Sequence, residues 1–152
     1  MLKKSNQKGF SIIEVLIVLA IAGLIMLIVF LAVPALQRNS RNTAREADAS
    51  KILAAVNQCL SNRNGATGQC NSNALLTANG GLEMTSLNQI QTITLNRANV
   101  GNGLFNDLNY SFTAQCANDT ADIAASTNSR SYAVAFRIEN GTANGITKCI
   151  QG

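Results

Sequence analysis

Lys8-Gly9-Phe10-Ser11-Ile12-Ile13-Glu14 stands at the mouth of a long apolar run, and its reading decides the rest of the chain. From Phe10 to Leu36 nearly every side chain is apolar; Ser11 and Glu14 are the exceptions. A carboxylate inside a membrane-length segment costs about 2.5–3.5 kcal/mol near a bilayer centre and less near an interface. A charge kept at that cost implies a partner. Cleavage after Gly9 would place a new ammonium on Phe10, close to the depth of Glu14. Two copies staggered along their helix axes would then pair amine with carboxylate.

This stretch, continued by Val15-Leu16-Ile17-Val18-Leu19-Ala20-Ile21-Ala22-Gly23, resembles the class III signal of type IV prepilins. The close match covers about the first quarter of the chain; the remainder is similar only in organisation. The resemblance implies a leader, 1–9, cut between Gly9 and Phe10 by a prepilin peptidase. It implies N-methylation of Phe10, and a role for Glu14 in neutralising a neighbour's Phe10 amine during assembly. A secretory signal peptide is the weaker reading. Its apolar core spans only about 7–15 residues, and Ala32-Val33-Pro34-Ala35 is a poor cleavage site. A plain signal anchor gives no reason for Glu14.

At 152 residues the chain has room for one membrane or filament helix and one small domain. Histidine and tryptophan are absent, which excludes His-based triads, His metal sites and imidazole acid–base chemistry. The net charge of +4 misleads. Lys3, Lys4 and Lys8 lie in the leader, and their removal leaves nine basic side chains against eight acidic ones. Nucleic-acid binding is therefore not indicated by the charge. The leader lysines hold their end of the helix in the cytoplasm, so the domain beyond is exported. Arg38, Arg41 and Arg45, on the exported side, oppose that bias.

Cys59, Cys70, Cys116 and Cys149 are even in number and lack a C-x-x-C metal spacing. In an exported domain disulfides are the default, with three connectivities open; buried free thiols are the bland alternative. The favoured pairs are Cys59–Cys70, closing a short loop after the helix, and Cys116–Cys149, tying late strands together. The second pair is similar to the disulfide-bounded C-terminal region of many pilins.

Ala49, Ile52, Leu53, Val56, Cys59 and Leu60 recur at helical spacing, one apolar stripe on an otherwise polar helix. Arg45, Glu46, Asp48 and Lys51 are read as lying off it. The expectation is one helix of about fifty residues, from near Phe10 to near Ser61. Gly23 and Pro34 are its weak points, Pro34 kinking or breaking it. The resemblance implies loss of helix between such residues inside a filament. Arg38, Arg41 and Arg45 share a helical face. They read as a solvated stripe in the isolated subunit, or as partners for a neighbour's Glu46 or Asp48.

Beyond the helix, 61–81 reads as loop with an apolar interlude at Ala74–Leu76, and 82–88 as a short helix. Gln91–Leu95 has strand composition. Tyr110, Phe112, Ala114 and Cys116 alternate with polar residues in one half-buried strand, and Tyr132, Val134, Phe136 and Ile138 in another. Asn140-Gly141 and Asn144-Gly145 mark a turn before a last strand, 145–150.

Chemistry is scarce. No Ser or Thr has a base beside it, and glycines 101 and 103 make no phosphate cradle. Asp119 and Asp122 are a weak calcium candidate. Asn109-Tyr110-Ser111, Asn118-Asp119-Thr120 and Asn140-Gly141-Thr142 match the N-glycosylation triplet. No cofactor, no metal and no catalytic residue is expected.

The fold expected is α+β: a long N-terminal α-helix, apolar then amphipathic, packed on a small antiparallel β-sheet head, the arrangement of pilins. Its parts are the leader 1–9, a transmembrane or filament-core helix 10–36, an amphipathic continuation 37–61 and a head 62–152. The resemblance implies a structural subunit of a type IV pilus, not an enzyme. Its partners are then its own copies, the prepilin peptidase, an assembly motor with its inner-membrane platform, and the cytoplasmic membrane before assembly. The precursor would sit in the bacterial cytoplasmic membrane and the product at the cell surface, serving adhesion, twitching motility or DNA uptake. The alternatives are a pseudopilin of a secretion or competence system, and a membrane-anchored binding module that never polymerises.

Overall fold

The computed structural model describes residues 9–95, 105–117, 122–128 and 130–152. Ile12–Asn62 forms one α-helix, α1. The chain divides into two units, the first ending at Gln37 and the second running Arg38–Gly152. In the first, Phe10, Leu16, Leu24, Phe30 and their apolar neighbours are all exposed, and the helix is long and apolar enough to cross a membrane.

Neither expected weak point ends the helix, which runs through both Gly23 and Pro34. Proline removes a single N–H donor, the one that would reach the carbonyl a turn before it. Its ring holds φ near the helical value. Intact turns on both sides of a 51-residue helix carry it across that one lost bond.

The second unit packs the other part of α1 on a four-stranded sheet. Its strands are β1 (Thr92–Leu95), β2 (Asp107–Phe112), β5 (Tyr132–Ile138) and β6 (Ile146–Gln151), in the order β1-β2-β5-β6. Pairing is antiparallel except at one edge, where β1 lies parallel to β2. The sheet is thus mixed. Tyr110 opposes Val134 and Leu108 opposes Phe136, so these side chains share one face. They bury against Ala49, Ile52, Val56 and Cys59 of α1.

Three local readings differ from sequence expectation. Within 61–81, Asn73–Gly80 is a helix, α2. Its N-cap Ser72 accepts from Leu75 N–H at 3.3 Å, and Gly81 closes it at φ 66°. Such capping residues bound the helix in sequence, but an eight-residue segment gives little periodicity. Gly80 packs so closely that an added Cβ would fall 2.2 Å from the Ala55 carbonyl oxygen. Within 82–88 only a 3₁₀ turn forms, Met84–Ser86.

The strand expected through Tyr110–Cys116 breaks at Thr113, whose φ of 50° is costly for a β-branched residue. The chain leaves the first sheet there. It pairs β3 (Ala114–Ala117) with β4 (Asp122–Ala125) in a second, two-stranded sheet.

Two disulfides are present, Cys59–Cys70 and Cys116–Cys149. The first is buried in the core at the end of α1; the second joins β3 to β6. Replacing Cys59 and Cys70 together by alanine should cost about 3 kcal/mol, since their loop is short. A denaturant titration of oxidised wild type against the double variant measures it.

Candidate processing and assembly site

Gly9 and Phe10 precede the first turn of α1, and both are exposed, Phe10 at 88 %. Among the described residues nothing lies within 4 Å of a Cβ built on Gly9. Ser11 and Glu14 then cap the helix. The Ser11 backbone N–H donates to Glu14 Oε2 at 3.2 Å, and Ser11 O accepts from Glu14 N–H at 3.1 Å. This is the carboxylate half of a capping box, which satisfies a donor the helix end leaves free. Phe10, Glu14, Val15, Val18 and Leu19 line an open apolar groove of about 400 Å³, with the carboxylate as its charged member.

Residues 4–30 match the family model of the prokaryotic N-terminal methylation motif. The chain carries a prepilin-type, class III signal. The motif supports a pilin-like or pseudopilin substrate of a prepilin peptidase, and the apolar helix fits a membrane-anchored precursor. No curated protein and no solved structure matches the chain.

The arginine triplet does not form a solvated stripe. Arg45 is only 5 % exposed. Glu139, just past β5, accepts from Arg41 Nε at 2.8 Å and Nη2 at 2.5 Å, and from Arg45 Nη2 at 2.9 Å. Asn42 locks the same corner: its Nδ2 donates to the Glu139 carbonyl at 2.7 Å and its Oδ1 accepts from Glu139 N–H at 2.8 Å. Phe105 lies 5.1 Å from the Arg45 guanidinium, in cation–π contact. The partner of Arg41 and Arg45 is thus an acid of the same chain. Glu46 is paired with Lys148, and Asp48 is fully buried within its own subunit. Both Arg45 and Asp48 fall on the buried face of α1. Spacing carried the signal: each precedes a stripe residue, Ala49 or Ile52, by one turn.

The Glu139 carboxyl is held at about 2 against an ordinary 4.5, chiefly by the Arg41 hydrogen bond and then by Arg45. Its folded value lies below its unfolded one. The stabilisation is therefore full above pH 4.5 and drains as pH falls toward 2. Glu139→Gln should flatten the stability–pH curve in that window while lowering stability at neutral pH, as denaturant titrations across the range would read.

Among the described residues no group of three His, Cys, Asp or Glu could hold a metal. Asp119 and the triplet Asn118-Asp119-Thr120 lie outside the described residues, as do glycines 101 and 103. Asn109 is 2 % exposed in a central strand, which removes its triplet as a glycan acceptor. Tyr110, Tyr132 and Phe136 are core residues.

Proposed function

We propose that this chain is a structural subunit of a type IV pilus. The leading observation is the methylation motif at the head of a helix whose apolar side chains are exposed all round. Such a surface needs lipid or other helices around it. The precursor rests in the cytoplasmic membrane, with 10–36 in the bilayer and the head, 62–152, exported on the amphipathic segment 37–61. A prepilin peptidase cuts between Gly9 and Phe10 and methylates Phe10. An assembly motor and its inner-membrane platform then move subunits into a helical homopolymer at the cell surface.

In that fibre Glu14 pairs with the Phe10 amine of a neighbour and sets the register. Gly23 and Pro34 are where the helix would loosen on packing. Adhesion, twitching motility and DNA uptake are the downstream uses such a fibre serves.

The test is intact mass with N-terminal sequencing of the protein from its native cells, followed by electron microscopy of sheared material. A start at N-methylated Phe10 with long sheared fibres supports the reading. The same start without such fibres favours a pseudopilus. A start at Met1 makes the chain a plain anchor, and the role of Glu14 falls with it.

A further inference from the structure

The chain holds five Asn-Gly pairs: Asn64-Gly65, Asn79-Gly80, Asn102-Gly103, Asn140-Gly141 and Asn144-Gly145. An asparagine followed by glycine is open to attack on its side-chain carbonyl by the next backbone nitrogen, since glycine has no Cβ to obstruct it. The reaction needs that nitrogen free and the side-chain amide nitrogen unheld, so that it can leave. The pairs differ sharply in both respects.

Three described pairs are protected. Gly65 N–H donates to the Leu60 carbonyl at 2.8 Å. Gly145 N–H donates to the Thr142 carbonyl at 3.3 Å. Asn79 is buried in α2, its Nδ2 donating to the Gln69 carbonyl at 3.1 Å and its Oδ1 accepting from Arg63. Asn102-Gly103 lies outside the described residues.

Asn140-Gly141 is the exception. Both residues are exposed, and Gly141 N–H has no hydrogen-bond acceptor among the described residues. Asn140 Oδ1 accepts twice, from Thr142 N–H at 3.0 Å and from Thr142 Oγ1 at 2.6 Å. Those donors polarise the amide carbonyl and stand where negative charge would develop on its oxygen, as an oxyanion hole does. Arg38 completes the setting. A Cβ built on Gly141 would fall 2.8 Å from Arg38 Nη1, so the guanidinium lies against this main chain. No hydrogen bond or ion pair occupies it among the described residues.

We propose that Asn140 is a site of self-catalysed deamidation. The Gly141 nitrogen gives up its proton and bonds to Asn140 Cγ, whose oxygen is held by Thr142. The Cγ–Nδ2 bond then breaks and ammonia leaves with a proton, closing a succinimide. Water adds to either ring carbonyl and opens the ring to aspartate or isoaspartate. The net change is one water consumed and one ammonia released. It puts a carboxylate into the turn whose Gly141 lies against Arg38, and lowers the charge of that turn by one.

The test uses the full chain in detergent, held in mildly alkaline buffer at physiological temperature. Trypsin cuts after Arg137 and Lys148, so one peptide, Ile138–Lys148, carries both Asn140 and Asn144. Tandem mass spectrometry locates a gain of about 1 Da within it, and a zero-time digest removes reaction during handling. In the folded chain Asn140 should outrun Asn144 about tenfold or more. In urea, where both are merely Asn before Gly, the ratio should fall to near one. Thr142→Val, which removes the 2.6 Å donor, should slow Asn140 about tenfold and leave Asn144 unchanged. Equal rates in the folded chain, a preference that survives urea, no reaction at Asn140, or no effect of Thr142→Val would each overturn the proposal.

Discussion

Cells whose only copy of this chain carries Glu14→Ala are expected to insert and cleave the precursor yet build almost no fibre. Two costs combine. Alanine removes the acceptor for Ser11 N–H, which frays the first turn of α1 at about 1 kcal/mol. In the proposed fibre the larger cost appears on assembly, where the Phe10 amine of each neighbour would enter an apolar core without a counter-charge. Stranding one member of a buried pair costs about 3–5 kcal/mol. Each tenfold drop in the elongation constant takes only about 1.4 kcal/mol.

Glu14→Gln separates the two effects, because its amide oxygen can still accept from Ser11 while carrying no charge. Sheared-fibre yield, set against membrane-fraction abundance and N-terminal processing, is the measurement. Normal fibres from Glu14→Ala would sink the register role. Full rescue by Glu14→Gln would assign the residue to capping alone.

Asp48→Ala should be the most destabilising single exchange in the unit Arg38–Gly152, at about 3 kcal/mol or more. Asp48 is 0 % exposed, and its Oδ2 accepts from Asn88 N–H at 2.8 Å, Gln89 N–H at 2.7 Å and Ile90 N–H at 3.2 Å. Lys51 Nζ lies 3.7 Å from the other oxygen. This carboxylate anchors the segment leading into β1 to the face of α1. Alanine leaves three main-chain donors without their acceptor, and Lys51 without its counter-charge. Asp48→Asn keeps an acceptor oxygen and should cost clearly less. Denaturant titration of the full chain in detergent would rank the variants. A loss below about 1 kcal/mol for alanine would mean that water replaces the carboxylate at no great cost.

The features legible in sequence share one property: they are local. The processing motif is a run of adjacent residues. The helix shows in the composition of its first part and in the spacing of Ala49, Ile52, Val56 and Cys59. Strand β5 shows in the alternation of Tyr132, Val134, Phe136 and Ile138. The reading failed where a residue's role depends on what arrives from far along the chain. Arg41 and Arg45 looked solvated because Glu139 lies 98 and 94 positions away. Asp48 looked like a surface acid because its ligands are backbone N–H groups, which carry no side-chain signature. Thr113 looked like one more strand residue, since its positive φ is set by the transfer of the chain to a second sheet.

By itself the sequence determined that this chain carries a prepilin-type signal, one long helix, and an α+β head, because those rest on contiguous pattern. The tertiary structure alone decided which acid meets which arginine, that β1 joins its sheet in parallel, and which of the described Asn-Gly turns leaves its nitrogen free. Those outcomes follow from burial: a charge or an N–H withdrawn from water must take the partner that packing brings within reach, and sequence order does not say which one that is.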